Sequence, residues 1–142
     1  MSSQIAFCQA LRKTIACIDG GDRRVLNQFS LTAPRYYALK RIHENPGASL
    51  TTLSALMLID KSSATRLIRS MEDEGLVRRL QSESDRRTCC LYLSKSGKKL
   101  LQSASAAHDR YAQERFSGLG IDVEGLVSDL EAVIHSLERE AK

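Results

Sequence analysis

Along most of the chain, apolar residues recur every three or four positions, the spacing of a helix that buries one face. Ile5, Cys8, Leu11, Ile15 and Ile18 set the first such stripe, over residues 4–18. Gly20-Gly21 is expected to interrupt it, leaving residues 23–29 as a further helical turn or an extended approach. Thr32 offers a cap and Pro34 suits the first turn of a second helix, which runs through Ile42 and stops at Asn45-Pro46-Gly47. Ala48-Ser49-Leu50 reads as a very short strand that joins a later hairpin, and Thr51 or Thr52 as the cap of a helix over 53–57.

The next stripe is the sharpest. Ala64, Leu67, Ile68 and Met71 share one face of a helix; Ser62, Thr65, Arg66 and Arg69 share the other. Asp60 can cap its start, and Gly75 suits the left-handed residue that ends it. The composition then shifts to β-formers. Residues 76–80 and 88–93 read as strands, joined by a polar turn with Arg86 and Arg87 near its tip. A helix followed at once by a hairpin with a cationic tip reads as a winged helix-turn-helix that recognises DNA.

Beyond the hairpin, Ser94 caps a long helix with Leu100, Leu101, Ala104, Ala107 and Tyr111 on its apolar face. Gly118-Leu119-Gly120 breaks it, and Asp122 caps a last helix. There Val123, Leu126, Val127, Leu130, Val133, Ile134 and Leu137 form a nearly heptad stripe. The class is mainly α with a small β-hairpin wing. The expected organisation is a winged helix-turn-helix over 31–97 and a helical dimerisation region over 1–30 and 98–142. Terminal helices this apolar need cover, from an intrachain core or from a second copy; a homodimer through the N- and C-terminal helices is the favoured reading.

Several blocks at fixed separation resemble the MarR (multiple antibiotic resistance regulator) family. They are Leu53-Ser54-Ala55-Leu56, Asp60-Lys61-Ser62-Ser63-Ala64-Thr65-Arg66-Leu67, Glu72-Asp73-Glu74-Gly75-Leu76-Val77, Asp85-Arg86-Arg87 and Leu91-Tyr92-Leu93-Ser94-Lys95-Ser96-Gly97. The sequence departs from the family at Leu58, in the turn before the sharp helix, where the family often has Gly or a small polar residue. The resemblance implies a repressor that binds a palindromic operator in double-stranded DNA as a homodimer. Its contacts are expected from Lys61, Ser62, Ser63, Thr65, Arg66, Arg69, Arg86 and Arg87, with Arg66 reading bases and Arg69 gripping phosphate. Asp85 is expected to support the wing by holding Arg87, as the family's Asp-x-Arg pair does.

Composition narrows the choice. Residues 35–99 hold 13 Lys and Arg against 7 Asp and Glu, while the rest holds 8 against 10, so the positive charge lies where a polyanion would sit. No run of 18 apolar residues suggests a membrane span, and no signal segment is visible, so a cytoplasmic protein is expected. Cys8, Cys17, Cys89 and Cys90 form no Cys-x-x-Cys pair, and His43, His108 and His135 lie far apart; neither a metal site nor a cofactor is expected. No phosphate loop or nucleophile signature points to an enzyme. A winged helix that binds protein is the remote alternative; it would carry apolar anchors where Ser62, Thr65, Arg66 and Arg69 stand.

Two triggers of release compete. A small amphipathic or aromatic ligand would bind among Phe7, Leu11, Phe29, Tyr36, Tyr37 and His43. The alternative is a thiol switch at Cys8, near the place where peroxide-sensing members of the family keep a reactive cysteine. Cys8 lies on the apolar stripe with Ile5 and Leu11, and a thiol sheltered there would react poorly.

Overall fold

The computed structural model describes residues 1–85 and 87–141. Its elements follow in the order α1 (Ser3–Asn27), α2 (Ala33–Glu44), α3 (Leu50–Met57), α4 (Lys61–Asp73), β1 (Val77–Gln81), β2 (Cys89–Leu93), α5 (Lys95–Phe116) and α6 (Val123–Glu140). The mainly helical class with a two-stranded wing agrees with the sequence reading. Among the described residues no helix is long and apolar enough to cross a membrane.

The chain divides into two compact units, residues 1–110 and 111–142. In the first, the apolar back of α4 (Ala64, Ile68, Met71) packs into one core with Tyr36, Leu39 and Ile42 of α2, Leu53 of α3, and Val77, Leu91 and Leu93 of the wing. Leu26 of α1 and Leu101 and Ala104 of α5 belong to the same core, which therefore reaches past residues 31–97 at both ends. The wing strands pair antiparallel in the register Val77↔Leu93 to Gln81↔Cys89. Ala48 adds a single bridge to Leu91, so the expected third strand is one residue pair long. In the second unit the glycines at 118 and 120 turn the chain at positive φ, and Asp122 caps α6 through the Gly125 N–H. No residue of α6 is buried.

Two local expectations are corrected. Gly20-Gly21 does not interrupt α1, which continues to Asn27. A helical glycine costs about 1 kcal/mol against alanine, and here Gly21, Asp22 and Leu26 are all buried, so tertiary packing outweighs that cost. The cap of α3 is Ser49, whose Oγ accepts the Thr52 N–H at 3.1 Å, and Thr51 and Thr52 lie inside the first turn.

Leu58 closes α3 in the left-handed region, with φ 56° and ψ 38°. Its side chain is 93% exposed. Gly97 is fixed by close approach: a Cβ there would lie 2.1 Å from the Leu76 carbonyl oxygen. That contact seats α5 on the end of the α4–β1 turn, where Ser94 Oγ also donates to the Gly75 carbonyl at 2.6 Å.

Candidate nucleic-acid interface

The front of α4 is built from its cap outward. Asp60 Oδ1 accepts the Ser63 N–H at 2.8 Å and the Ser62 hydroxyl at 2.6 Å, and Oδ2 accepts the Ser63 hydroxyl at 2.7 Å. These bonds, the two hydroxyls first, hold the Asp60 carboxyl far below the usual carboxylate range. Thr65 Oγ1 donates to the Lys61 carbonyl at 2.8 Å, and Arg66 Nη2 donates to Ser63 Oγ at 3.3 Å. Lys61, Ser62, Arg66 and Arg69 are exposed, and Ser63 and Thr65 are half-buried. The far end of α4 is tied to α2 by an ion pair between Arg35 and Glu74, which lowers the Glu74 pKa.

The wing is held by Asp85. Its Oδ1 accepts the main-chain N–H of Arg87 at 3.0 Å and its Oδ2 the hydroxyl of Thr88 at 3.1 Å. Asp85 thus shapes the turn through Arg87's backbone, and the Arg87 side chain stands exposed. Arg86 lies outside the described residues.

Between α3, α4 and the wing runs a groove of about 320 Å³ lined by Ser49, Leu50, Thr51, Lys61, Arg79, Arg87, Thr88 and Cys89. Three cations and the positive N-terminal end of α3 face this space. Sequence reasoning missed Arg79 and Ser49 here. The signal was available for Arg79: period two puts it on the side of Val77, which is buried, so it turns toward the lobe. Arg79 Nε also lies 3.5 Å from Glu72.

The expected ligand residues are not gathered in one place. A cavity of about 510 Å³ lies among Asp19 and Arg23 of α1, Ala33, Pro34, Tyr37 and Arg41 of α2, and residues 56–59 at the end of α3. Of the six candidates Tyr37 lines it. Tyr36 is fully buried in the core, its hydroxyl 3.4 Å from both Ser105 Oγ and His108 Nδ1. His43 borders a separate, smaller cavity with Pro46, Tyr92 and Lys98. Phe7 is exposed, Leu11 is half-buried, and Phe29 packs against the core.

Beside the larger cavity the Tyr37 hydroxyl donates to Asp22 Oδ2 at 3.3 Å. Burial, and then the Asp22 charge, push the Tyr37 pKa up to about 12. Asp22, 1% exposed, also lies 3.3 Å from His108 Nε2. This buried carboxylate carried no sequence signal. Cys8 is exposed, in a shallow depression with Ile5 and Arg12, and not sheltered as expected. Within residues 3–17 Ala6 and Leu11 are half-buried and the other residues are exposed.

The MarR family model matches residues 31–89. The chain is 29% identical over 108 residues to the uncharacterized HTH-type transcriptional regulator YsmB of Bacillus subtilis strain 168, covering 76% of this chain and 74% of that protein. It is 31% identical to the transcriptional regulator HosA of Escherichia coli O111:H-, covering 62% and 67%, and 28% identical to the HTH-type transcriptional repressor IacR of Pseudomonas putida, covering 81% and 70%. In fold it resembles a MarR family regulator from Rhodococcus sp. RHA1, with TM-score 0.80 and 22% identity over 96% of this chain and 95% of that one. It likewise resembles the repressor CouR bound to a 23-mer DNA duplex, with TM-score 0.74 and 22% identity over 94% and 90%.

Proposed function

The chain belongs to the MarR family of DNA-binding transcriptional regulators, and from that premise we propose that it is a homodimeric repressor of a palindromic operator, released by a small amphipathic ligand. The observation that carries the reading is the cationic front of the first unit. Lys61, Arg66 and Arg69 stand exposed on one helix, and Lys61, Arg79 and Arg87 share a groove with the N-terminal end of α3. In this reading α4 enters the major groove, Arg66 reads a guanine, Arg69 and the groove grip backbone phosphates, and Arg87 follows the wing to the minor groove. Arg86 keeps the role expected from the sequence, and Asp85 shapes the wing for both.

The dimer is supported by the apolar residues left exposed at both chain ends. Ile5 and Ile15 on α1, and Leu126, Val127, Ile134 and Leu137 on α6, are each about half exposed or more. A second copy would cover them and set two reading heads on one inverted repeat. Relatives named as repressors make repression the preferred direction. For release, the cavity of about 510 Å³ supplies an apolar wall (Pro34, Met57, Ile59) and polar groups (Arg23, Arg41, Tyr37), a lining suited to an amphipathic molecule. It abuts the turn that carries α4, so an occupant would bear directly on the reading helix.

The test is binding to duplex DNA as a function of salt. Arg87→Ala is expected to weaken binding and flatten the salt dependence by about one unit of slope per protomer. Arg66→Ala is expected to relax base preference at defined positions. Unchanged slope in the first and a uniform loss across sequences in the second would refute these roles.

A further inference from the structure

The direction of the hydrogen bonds at the start of α4 limits which base edges it can read; this rests on the DNA-reading role proposed above. An ionised carboxylate accepts hydrogen bonds and donates none, and a serine hydroxyl owns one proton. Ser62 spends its proton on Asp60 Oδ1 and Ser63 spends its own on Asp60 Oδ2, at 2.6 and 2.7 Å. Thr65 spends its proton on the Lys61 carbonyl. Lone pairs are what these side chains have left, and one of those on Ser63 already receives Arg66 Nη2.

We infer that Ser62, Ser63 and Thr65 meet DNA as acceptors only, with Asp60 as the positioning residue that imposes this polarity on the two serines and the Lys61 carbonyl imposing it on Thr65. Phosphate oxygens, guanine O6 and N7, and thymine O4 are themselves acceptors, so these hydroxyls are repelled by them. Their partners are the exocyclic amines, adenine N6 and cytosine N4. Among the side chains expected to touch DNA on this helix, the donor roles fall to Lys61, Arg66 and Arg69. The front is therefore divided: cations take phosphates and guanine, and hydroxyls take amines. Because each base pair carries its major-groove amine on one strand, the hydroxyls fix the orientation of the pair. Asp60 gains this at the expense of phosphate affinity, since its own charge faces the same polyanion.

The experiment selects duplexes from a randomised pool with the full chain. Each adenine of the enriched sequence is then replaced by purine, and each cytosine by 2-pyrimidinone, which lack the amine. At one or more positions the wild type is expected to lose about five- to ten-fold in affinity, the worth of one hydrogen bond to a base edge. Ser62→Ala, Ser63→Ala or Thr65→Val is expected to lose less than about two-fold on the same duplex. Asp60→Asn keeps an acceptor for the Ser63 N–H, but its amide donates to one hydroxyl and so returns a proton to that serine. It is expected to blunt the amine sensitivity that Ser62 or Ser63 carries while binding unselected duplex more tightly, with its thermal midpoint as the check on folding. An enriched sequence that tolerates every amine deletion would overturn the inference alone, as would full sensitivity in Ser62→Ala, Ser63→Ala and Thr65→Val alike, or full sensitivity in Asp60→Asn at a position that a serine variant has shown to be read by that serine. A pool that yields no enriched sequence would overturn the DNA-reading role and this inference together.

Discussion

Leu58 holds a conformation that a leucine adopts at a cost, and replacing it measures that cost. A non-glycine residue in the left-handed region is disfavoured by roughly 1–2 kcal/mol. Leu58→Gly removes this penalty but frees the unfolded chain, which returns about 0.5–1 kcal/mol. The side chain is 93% exposed, so the hydrophobic term lost is small: less than a tenth of the usual 1.5–3 kcal/mol, or about 0.2 kcal/mol. The balance is a gain of about 0.5 kcal/mol, or about 2 °C in melting midpoint. Leu58→Ala is the control, because it deletes the side chain and keeps the penalty; it should stay within about 0.3 kcal/mol of the wild type. Urea unfolding at one fixed protein concentration measures both, since dimerisation would make the midpoint depend on concentration. A glycine variant no more stable than the alanine variant would refute the strain argument. If the gain appears, the leucine is retained for something other than stability, and its place on the wall of the larger cavity supplies a reason.

Three further outcomes follow from the geometry. Gly97→Ala drives a Cβ into the Leu76 carbonyl and should destabilise by about 2–3 kcal/mol, read by the same urea titration; a loss near zero would mean that the seat of α5 yields easily. Tyr37 keeps its proton in the folded state up to about pH 12, whereas an unfolded tyrosine loses it near pH 10. Stability from this residue is therefore whole below about pH 10 and is lost as pH rises toward 12, and Tyr37→Phe should remove that part of the slope. Ile134→Asp places a charge on the exposed stripe of α6 and should yield monomers in sedimentation, with duplex affinity reduced about 100-fold as the two heads uncouple. A dimer of unchanged strength would mean that α6 lies outside the interface.

Legibility in the sequence tracked how local each cause is. The recognition helix was readable because its cap, its apolar face and its terminating glycine lie within sixteen consecutive residues, Asp60 to Gly75. The wing was readable because two short runs of β-formers around a polar turn are also local. The continuity of α1 was not, since the burial that overrides Gly20-Gly21 comes from distant elements. The two adjacent tyrosines show the same limit at a site. Aromatic content suggested one pocket, but neighbours on a helix point about 100° apart, and so Tyr36 fills the core while Tyr37 walls the cavity. Asp22 and His108 lie 3.3 Å apart with most of the chain between them, and no spacing rule connects them.

The recognition helix adds a subtler case. Counting hydroxyls on its front face suggested groups that could serve phosphates and bases alike. What they can do depends on where each proton already goes, and that is settled by Asp60 and the Lys61 carbonyl. A residue type names a set of possible hydrogen-bond roles, and the neighbour that takes the proton selects among them. The same logic holds at the wing, where Asp85 is engaged by the backbone and hydroxyl of its own turn and so leaves the Arg87 side chain to face outward. In both places the carboxylate is engaged by donors of its own turn, Ser62 and Ser63 for Asp60, and the Arg87 N–H and Thr88 for Asp85, and so competes less for the guanidinium groups beside it.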